Sequence, residues 1–294
     1  MSQITYISQS EYDREYRRFL LSEKEKICPE VFNLFTKPIP QPSHDYWSLY
    51  AYGDILKIVY IKRGKRVDSA DRKNYTAAPD IKSEDERFKQ SVSRSKARVF
   101  ELAACNEFNF FCTFTQDEKK RDRFNLSEFR KDFAQLVRNL NRGRENKIKY
   151  LLIPEQHKDG AWHMHGLFKG LSVEKDLRAF TLSEKLPQRI RAALKSGECV
   201  YDWTAYRRRF GFFTCTEIKS GIGCAKYITK YISKDLQKTV REAGEHLFFA
   251  SQGLKGRETI ISKELGACPY AADGWDFEND YVAVKEIAVQ KTGQ

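Results

Sequence analysis

Ile148-Lys-Tyr-Leu-Leu-Ile-Pro-Glu-Gln-His-Lys-Asp-Gly-Ala-Trp-His-Met-His-Gly-Leu-Phe168 holds three of the chain's five histidines. An apolar run from Tyr150 to Ile153 breaks at Asp159-Gly160 and resumes toward Leu167-Phe168, which is the pattern of a β-hairpin. Side chains alternate faces along a strand, so His163 and His165 project from one face and Met164 from the other. The face that Glu155 takes depends on the turn. A two-residue Asp159-Gly160 loop sets Glu155 opposite Met164, whereas a three-residue Lys158-Asp159-Gly160 loop pairs His157 with Ala161 and Glu155 with His163. Three-residue loops favour glycine at their last, left-handed position, where Gly160 then falls. In that register Glu155, His163 and His165 share a face, with His157, one pair nearer the turn, as the alternative third ligand. Two imidazoles and a carboxylate suit Mg²⁺, Mn²⁺ or Zn²⁺ with open positions for substrate oxygens. Taken alone, a His-x-His pair also describes two surface histidines.

A second pattern lies in Ala225-Lys-Tyr-Ile-Thr-Lys-Tyr-Ile-Ser-Lys-Asp-Leu236. Tyr227 and Tyr231 stand four apart, and Lys226, Lys230 and Lys234 form a parallel row, so on a helix two phenols share a face flanked by ammonium groups. Ile228, Ile232 and Leu236 form a third row that turns to the core. By itself this is an amphipathic surface helix. Combined with the histidine hairpin it describes a site with two nucleophile-type side chains.

These residues resemble the HUH superfamily of rolling-circle replication initiators, in particular the two-tyrosine initiators of small single-stranded DNA phages and related plasmid or prophage elements. The resemblance covers about residues 90–260. Its first motif is similar to Phe110-Phe-Cys-Thr-Phe-Thr115, a strand ending in polar residues. The second is His163-Met-His165, and the third is Tyr227-Ile-Thr-Lys-Tyr231-Ile-Ser-Lys234, two overlapping Tyr-x-x-Lys units. Ser251-Gln-Gly-Leu-Lys255 also resembles a stretch that follows the tyrosine helix in phage-type members. The resemblance implies a divalent cation (Mg²⁺ or Mn²⁺) at His163, His165 and Glu155, and catalysis by Tyr227 and Tyr231 with Lys230 and Lys234. In that chemistry a tyrosine oxygen attacks a phosphodiester of single-stranded DNA, displaces the 3′ oxygen and leaves a 5′-phosphotyrosine. Two tyrosines permit a relay in which the second cuts the regenerated junction.

Composition agrees. Fifty-two basic against forty acidic residues give a net charge of +12 and a pI near 9.2, which favours a polyanionic partner. Single-stranded or supercoiled origin DNA is the expected one, contacted by Arg207-Arg208-Arg209 and by Arg94, Lys96 and Arg98, although each cluster also reads as a solvated face. The seven cysteines are scattered without a Cys-x-x-Cys pair, so neither a disulfide framework nor a zinc ribbon is indicated, and a reducing bacterial cytoplasm fits. No signal sequence opens the chain and no apolar run approaches the ~20 residues of a membrane span. The absence of Gly-x-x-x-x-Gly-Lys-[Ser/Thr] implies a host helicase and host replication machinery as partners.

In chain order the sequence predicts a short helix near Glu11–Lys26, a proline break at Pro38–Pro42, and a hairpin at 46–62 around Gly53-Asp54. A helix at 83–105, a strand at Phe108–Thr115, a helix capped by Ser127 and the histidine hairpin come next. One or two helices between Val173 and Lys195 precede a strand at Phe210–Ile218, a Gly221-Ile-Gly223 turn and the tyrosine helix. Short strands are expected near Glu258–Ile261 and Tyr281–Ile287. This order fits an α+β protein with a ferredoxin-like (RRM-like) central antiparallel sheet and helices on one face, the fold that the HUH resemblance also implies. The expected domains are an N-terminal extension over 1–90, an endonuclease domain over 91–260, and a C-terminal segment over 261–294 packed on the same domain. Other readings are a relaxase or tyrosine transposase of the same superfamily, or a non-enzymatic single-strand-binding module, since a ferredoxin-like sheet with exposed aromatics also binds single strands.

Overall fold

The computed structural model describes residues 6–8, 45–62, 84–233, 236, 239–240, 245–265, 268, 274–279 and 282–290. The helix expected near Glu11–Lys26, the proline break and Lys234 lie outside them. In chain order the strands are β1 (Tyr6–Ser8), β2 (Tyr46–Tyr52), β3 (Ile55–Ile61), β4 (Phe110–Thr115), β5 (Lys149–Gln156), β6 (Trp162–Lys169), β7 (Leu177–Ala179), β8 (Tyr201–Trp203), β9 (Phe213–Glu217), β10 (Phe249–Ala250), β11 (Glu258–Leu265), β12 (Phe277–Glu278) and β13 (Val282–Gln290). The helices are α1 (Glu84–Ala104), α2 (Leu126–Leu140), α3 (Gln188–Lys195), α4 (Thr204–Arg209) and α5 (Gly221–Ile228), the last tightening into a 3-10 turn at Thr229–Tyr231. Among the described residues no helix is long and apolar enough to cross a membrane.

The chain forms two compact units, residues 82–255 and a second unit of residues 1–81 with 256–294. The second is built on the β2–β3 hairpin, where Tyr52 faces Ile55 and the two-residue Gly53-Asp54 loop is made by a glycine at φ 59°. β13 pairs with β3 and β11 with β2, so the sheet runs β1-β13-β3-β2-β11 over a core of Trp47, Leu49, Ile58, Tyr60 and Ile287. The C-terminal segment, expected on the endonuclease domain, thus shares a sheet with the N-terminal hairpin. The unit boundaries fall at 81/82 and 255/256, against the expected 90/91 and 260/261.

Residues 82–255 hold the second sheet, ordered β10-β5-β6-β4-β9-β8-β7 with every neighbouring pair antiparallel. Its centre, β5-β6-β4-β9 joined as β4-α2-β5-β6-…-β9, is the ferredoxin-like order read from the sequence. Alternation in β4 divides the two faces. Phe114 on one face meets Phe133 of α2, Phe168, Tyr206 and Phe213 at ring separations of 4.9–5.5 Å, the aromatic centre of the core. α2 covers this face because Leu126, Phe129, Phe133, Leu136 and Val137 recur at helical spacing and are buried. Its N-cap is Asn125, whose side chain accepts the Glu128 N–H at 3.0 Å, and not Ser127, which lies inside the first turn. Asparagine with glutamate three residues on satisfies the free amides better.

The opposite face of β4 carries Phe111, Thr113 and Thr115, and the end of α5 lies against it through Tyr227 and Tyr231. Helices therefore meet the sheet on both faces. The segment after β6 holds a strand and one helix, β7 and α3, where helices alone are expected. Three residues are too few for a hydrophobic period to register.

Candidate functional site

The histidine hairpin has the odd loop. Glu155 pairs with His163 and Gln156 with Trp162, the His157 amide donates to the Ala161 carbonyl at 2.9 Å, and Gly160 sits at φ 84°. Asp159 fixes the turn by accepting the Ala161 N–H at 3.0 Å. Glu155, His163 and His165 consequently share one face, and His157 stacks on His163 with ring centroids 3.6 Å apart.

Each imidazole is oriented from β4. Thr115 Oγ1 lies 3.1 Å from His163 Nδ1, and Thr113 Oγ1 lies 3.4 Å from His165 Nδ1. His165 Nε2 donates to Glu155 Oε2 at 2.6 Å. Burial, reinforced by the charges of His157 and His165, pulls His163 down to about 4. Burial also lowers His165, against the hydrogen bond and charge of Glu155. Both rings are therefore neutral at pH 7, the form in which imidazole ligates a metal.

The tyrosines meet this hairpin because α5 is aimed by its start and anchored by its apolar row. Ser220 Oγ accepts the Gly223 N–H at 3.1 Å, so Gly221-Ile-Gly223, expected as a turn, is the capped first turn of the helix. Ile228, Ile232 and Leu236 are buried, as the spacing predicts, and Ala225 with them, but the continuous helix expected through both tyrosines ends at Ile228: Tyr231 lies in the 3-10 turn and the chain is extended at Ile232 (φ −86°, ψ 99°). The Tyr231 ring stacks on His165 at 3.9 Å and 18°, and its hydroxyl lies 3.1 Å from that of Tyr227. Phe111 packs on both tyrosines and on His165. Burial, then the hydrogen bond from Tyr227, pushes the Tyr231 phenol well above its ordinary range, with the nearby Arg189 charge opposing. Tyr227 is 40% exposed, and Lys230 Nζ stands 5.2 Å from its ring centre. A cleft of about 460 Å³ opens here, lined by Glu155, Gln156, Tyr227, Lys230, Tyr231 and Ser233 among others.

The structure thus brings together Glu155, His157, His163, His165, Tyr227, Tyr231 and Lys230. Neither arginine cluster lines the cleft. Arg207 pairs with the buried Asp202 and lies over Phe212, while Arg208 and Arg209 are exposed on α4, whose Tyr206 packs against Phe114 on the face away from the histidines. Arg94, Lys96 and Arg98 lie on α1, with Arg98 paired to Glu101. Sequence reasoning missed Thr113, Thr115, Phe111 and Arg189. The first three follow from alternation in the Phe110–Thr115 motif once its pairing with β6 is known; Arg189 leaves no local signal.

For a divalent cation the donor chemistry fits: two neutral imidazoles with Nδ1 held by threonines, which leaves Nε2 for ligation, and a carboxylate on the same face. Among the described residues no group of three or more His, Cys, Asp or Glu side chains is already gathered at metal-holding distances. Glu155 is instead hydrogen-bonded to His165, a bond that ligation replaces.

Residues 109–236 match the family of replication-associated protein ORF2. That span runs from the start of β4 through both tyrosines to Leu236, and so contains every residue of the cleft named above. No curated protein and no solved structure matches the chain.

Proposed function

We propose that this chain is a replication initiator that nicks and rejoins single-stranded DNA through tyrosine, as an HUH endonuclease of the two-tyrosine type. The observation that carries the reading is the stacking of Tyr231 on His165 with the Tyr227 hydroxyl 3.1 Å from its own, within the stretch similar to a replication-associated family. A non-enzymatic binding module has no need for two phenols against a histidine pair.

His163, His165 and Glu155, with His157 as the alternative third ligand, would hold Mg²⁺ or Mn²⁺. Such an ion supplies Lewis-acid polarisation of the scissile phosphate and neutralises its charge. The protein's own groups do the rest. Thr113 and Thr115 orient the imidazoles, and Phe111 fixes the rings of both tyrosines beside them. A tyrosine Oη forms a bond to phosphorus as the P–O3′ bond breaks, and the phenolic proton ends on the released 3′ hydroxyl. Tyr231, packed on His165, and Tyr227, more exposed and beside the Lys230 ammonium, divide the two transfers between them: one makes the first cut and the other takes the strand in the second. Lys230, beside the Tyr227 ring, offers an ammonium group to the charge that develops on the transferred phosphate; Lys234 has the same assigned role from the sequence. Arg208, Arg209, Arg94 and Lys96 are exposed cations suited to phosphate binding outside the cleft. Host helicase and replication machinery in a bacterial cytoplasm complete the reading.

The test is covalent capture. Incubation with single-stranded origin oligonucleotides and Mn²⁺ should give a protein–DNA adduct that the Tyr227→Phe/Tyr231→Phe double variant does not form. Each single variant should keep some single-turnover cleavage but fail to yield the joined product. A normal rejoined product from either single variant would refute the relay, and an adduct from the double variant would place the nucleophile elsewhere.

A further inference from the structure

We propose that Lys149, Lys169 and Lys255 form a phosphate-binding site for DNA at the root of the histidine hairpin, outside the catalytic cleft. The proposal takes the identity of the polyanion from the nicking function above. Lys149 and Lys169 stand directly opposite each other in the β5–β6 ladder. Their side chains leave the same face with Cβ atoms about 5 Å apart, an arrangement that is destabilising for like charges. Lys169 is also partly buried, and burial together with the charges of Lys149 and Lys255 lowers its pKa, with Glu107 acting in the opposite sense. Among the described residues none of the three ammonium groups has a carboxylate within ion-pair distance.

The cluster is held in place. Lys149 Nζ donates to the Gly253 carbonyl at 2.7 Å, which ties the strand to the Ser251–Lys255 segment. The Lys255 backbone is clamped in both directions by buried Asn106, whose Oδ1 accepts the Lys255 N–H at 3.1 Å and whose Nδ2 donates to the Lys255 carbonyl at 2.9 Å. Three lysines distant in sequence are thus kept close although they repel. A phosphodiester accepting hydrogen bonds from them removes that repulsion, and ammonium groups recognise phosphate charge without reading bases.

Lys149 and Lys169 lie six residues along both strands from the Glu155–His163 pair, 149 to 155 and 163 to 169. At ~3.3 Å per residue this is about 20 Å. Leu151, Ile153 and Leu167 on the intervening face are buried, which separates the cluster from the cleft. It therefore grips DNA several nucleotides from the scissile bond.

The experiment compares the 294-residue protein with its Lys149→Ala/Lys169→Ala variant by fluorescence anisotropy on oligothymidylates of about 3 and about 30 nucleotides, lengths below and above the roughly 4–16 nucleotides of a single-strand footprint. The variant should bind the long strand about three- to tenfold more weakly at low salt. Its slope of log affinity against log salt should fall by ~0.7 for each phosphate that the protein no longer neutralises, and its affinity for the short strand should be unchanged. Equal affinity and slope on the long strand, or an equal weakening on both lengths, would overturn the site. If alanine lowers the melting temperature, Lys149→Met/Lys169→Met, which keeps the aliphatic packing, is read against the same outcomes. A wild-type protein that forms no adduct while the variant still shows the reduced slope would count against the nicking function and leave this site standing.

Discussion

At His163, burial and two neighbouring imidazoles act in the same direction, and the carboxylates of Glu155 and Asp159 oppose them. The side chain is expected to titrate near 4 in the metal-free protein, against the ordinary 6.5. Between those values the unfolded chain takes up a proton that the folded protein refuses, so this residue makes stability fall as pH drops from about 6.5 toward 4. Imidazole resonances followed by NMR across that range check it; a midpoint near 6.5 would mean that His163 is solvated and the hairpin face open. The type and spacing of His163, His165 and Glu155 are legible in the sequence because a strand's period is two and the loop length fixes the register. The threonines that aim the rings are not, since they sit some fifty positions away and reach the histidines only through strand pairing.

Among the elements, α2 places Phe133 in the aromatic centre of the core. Phe133 is 1% exposed and its ring meets Phe114, Phe129, Tyr150, Phe168 and Trp203. Phe133→Ala should therefore cost about 3–5 kcal/mol by chemical denaturation, the range for emptying a buried aromatic site. A cost under about 1 kcal/mol would show that the aromatic centre re-collapses instead of leaving a cavity. Periodicity exposes α2 and the hairpin, which satisfy their patterns over several turns or pairs; the apolar row that starts in α5 is legible too, although the helix itself stops at Ile228. It does not expose β7 or β8, three residues each, whose backbone bonds depend on the strand beside them. The Gly221–Gly223 segment reads as a turn because glycines usually mark one. Here Ser220 caps a helix that runs through them.

At the scale of the whole molecule the two units have separate apolar cores, one drawn from Val92 to Phe249 and the other from Trp47 to Ile287. A fragment of residues 82–255 should accordingly unfold in one cooperative thermal transition and retain adduct formation; an aggregating or molten fragment would show that its core needs the remaining chain. The sequence by itself determined the chemistry on offer: a metal-type face in the hairpin register, two phenols four residues apart with lysines beside them, and a basic surface. Those follow from local periods of two and of three to four, which any stretch carries within itself. Only the tertiary structure decided that Tyr231 stacks on His165, that Phe111 braces both tyrosines, that Arg207 is committed to Asp202, and that the C-terminal strand joins the N-terminal hairpin. Most of these join residues far apart in the chain, and which of the many compatible pairings forms is set by packing and burial summed over the whole fold, a quantity no local pattern contains.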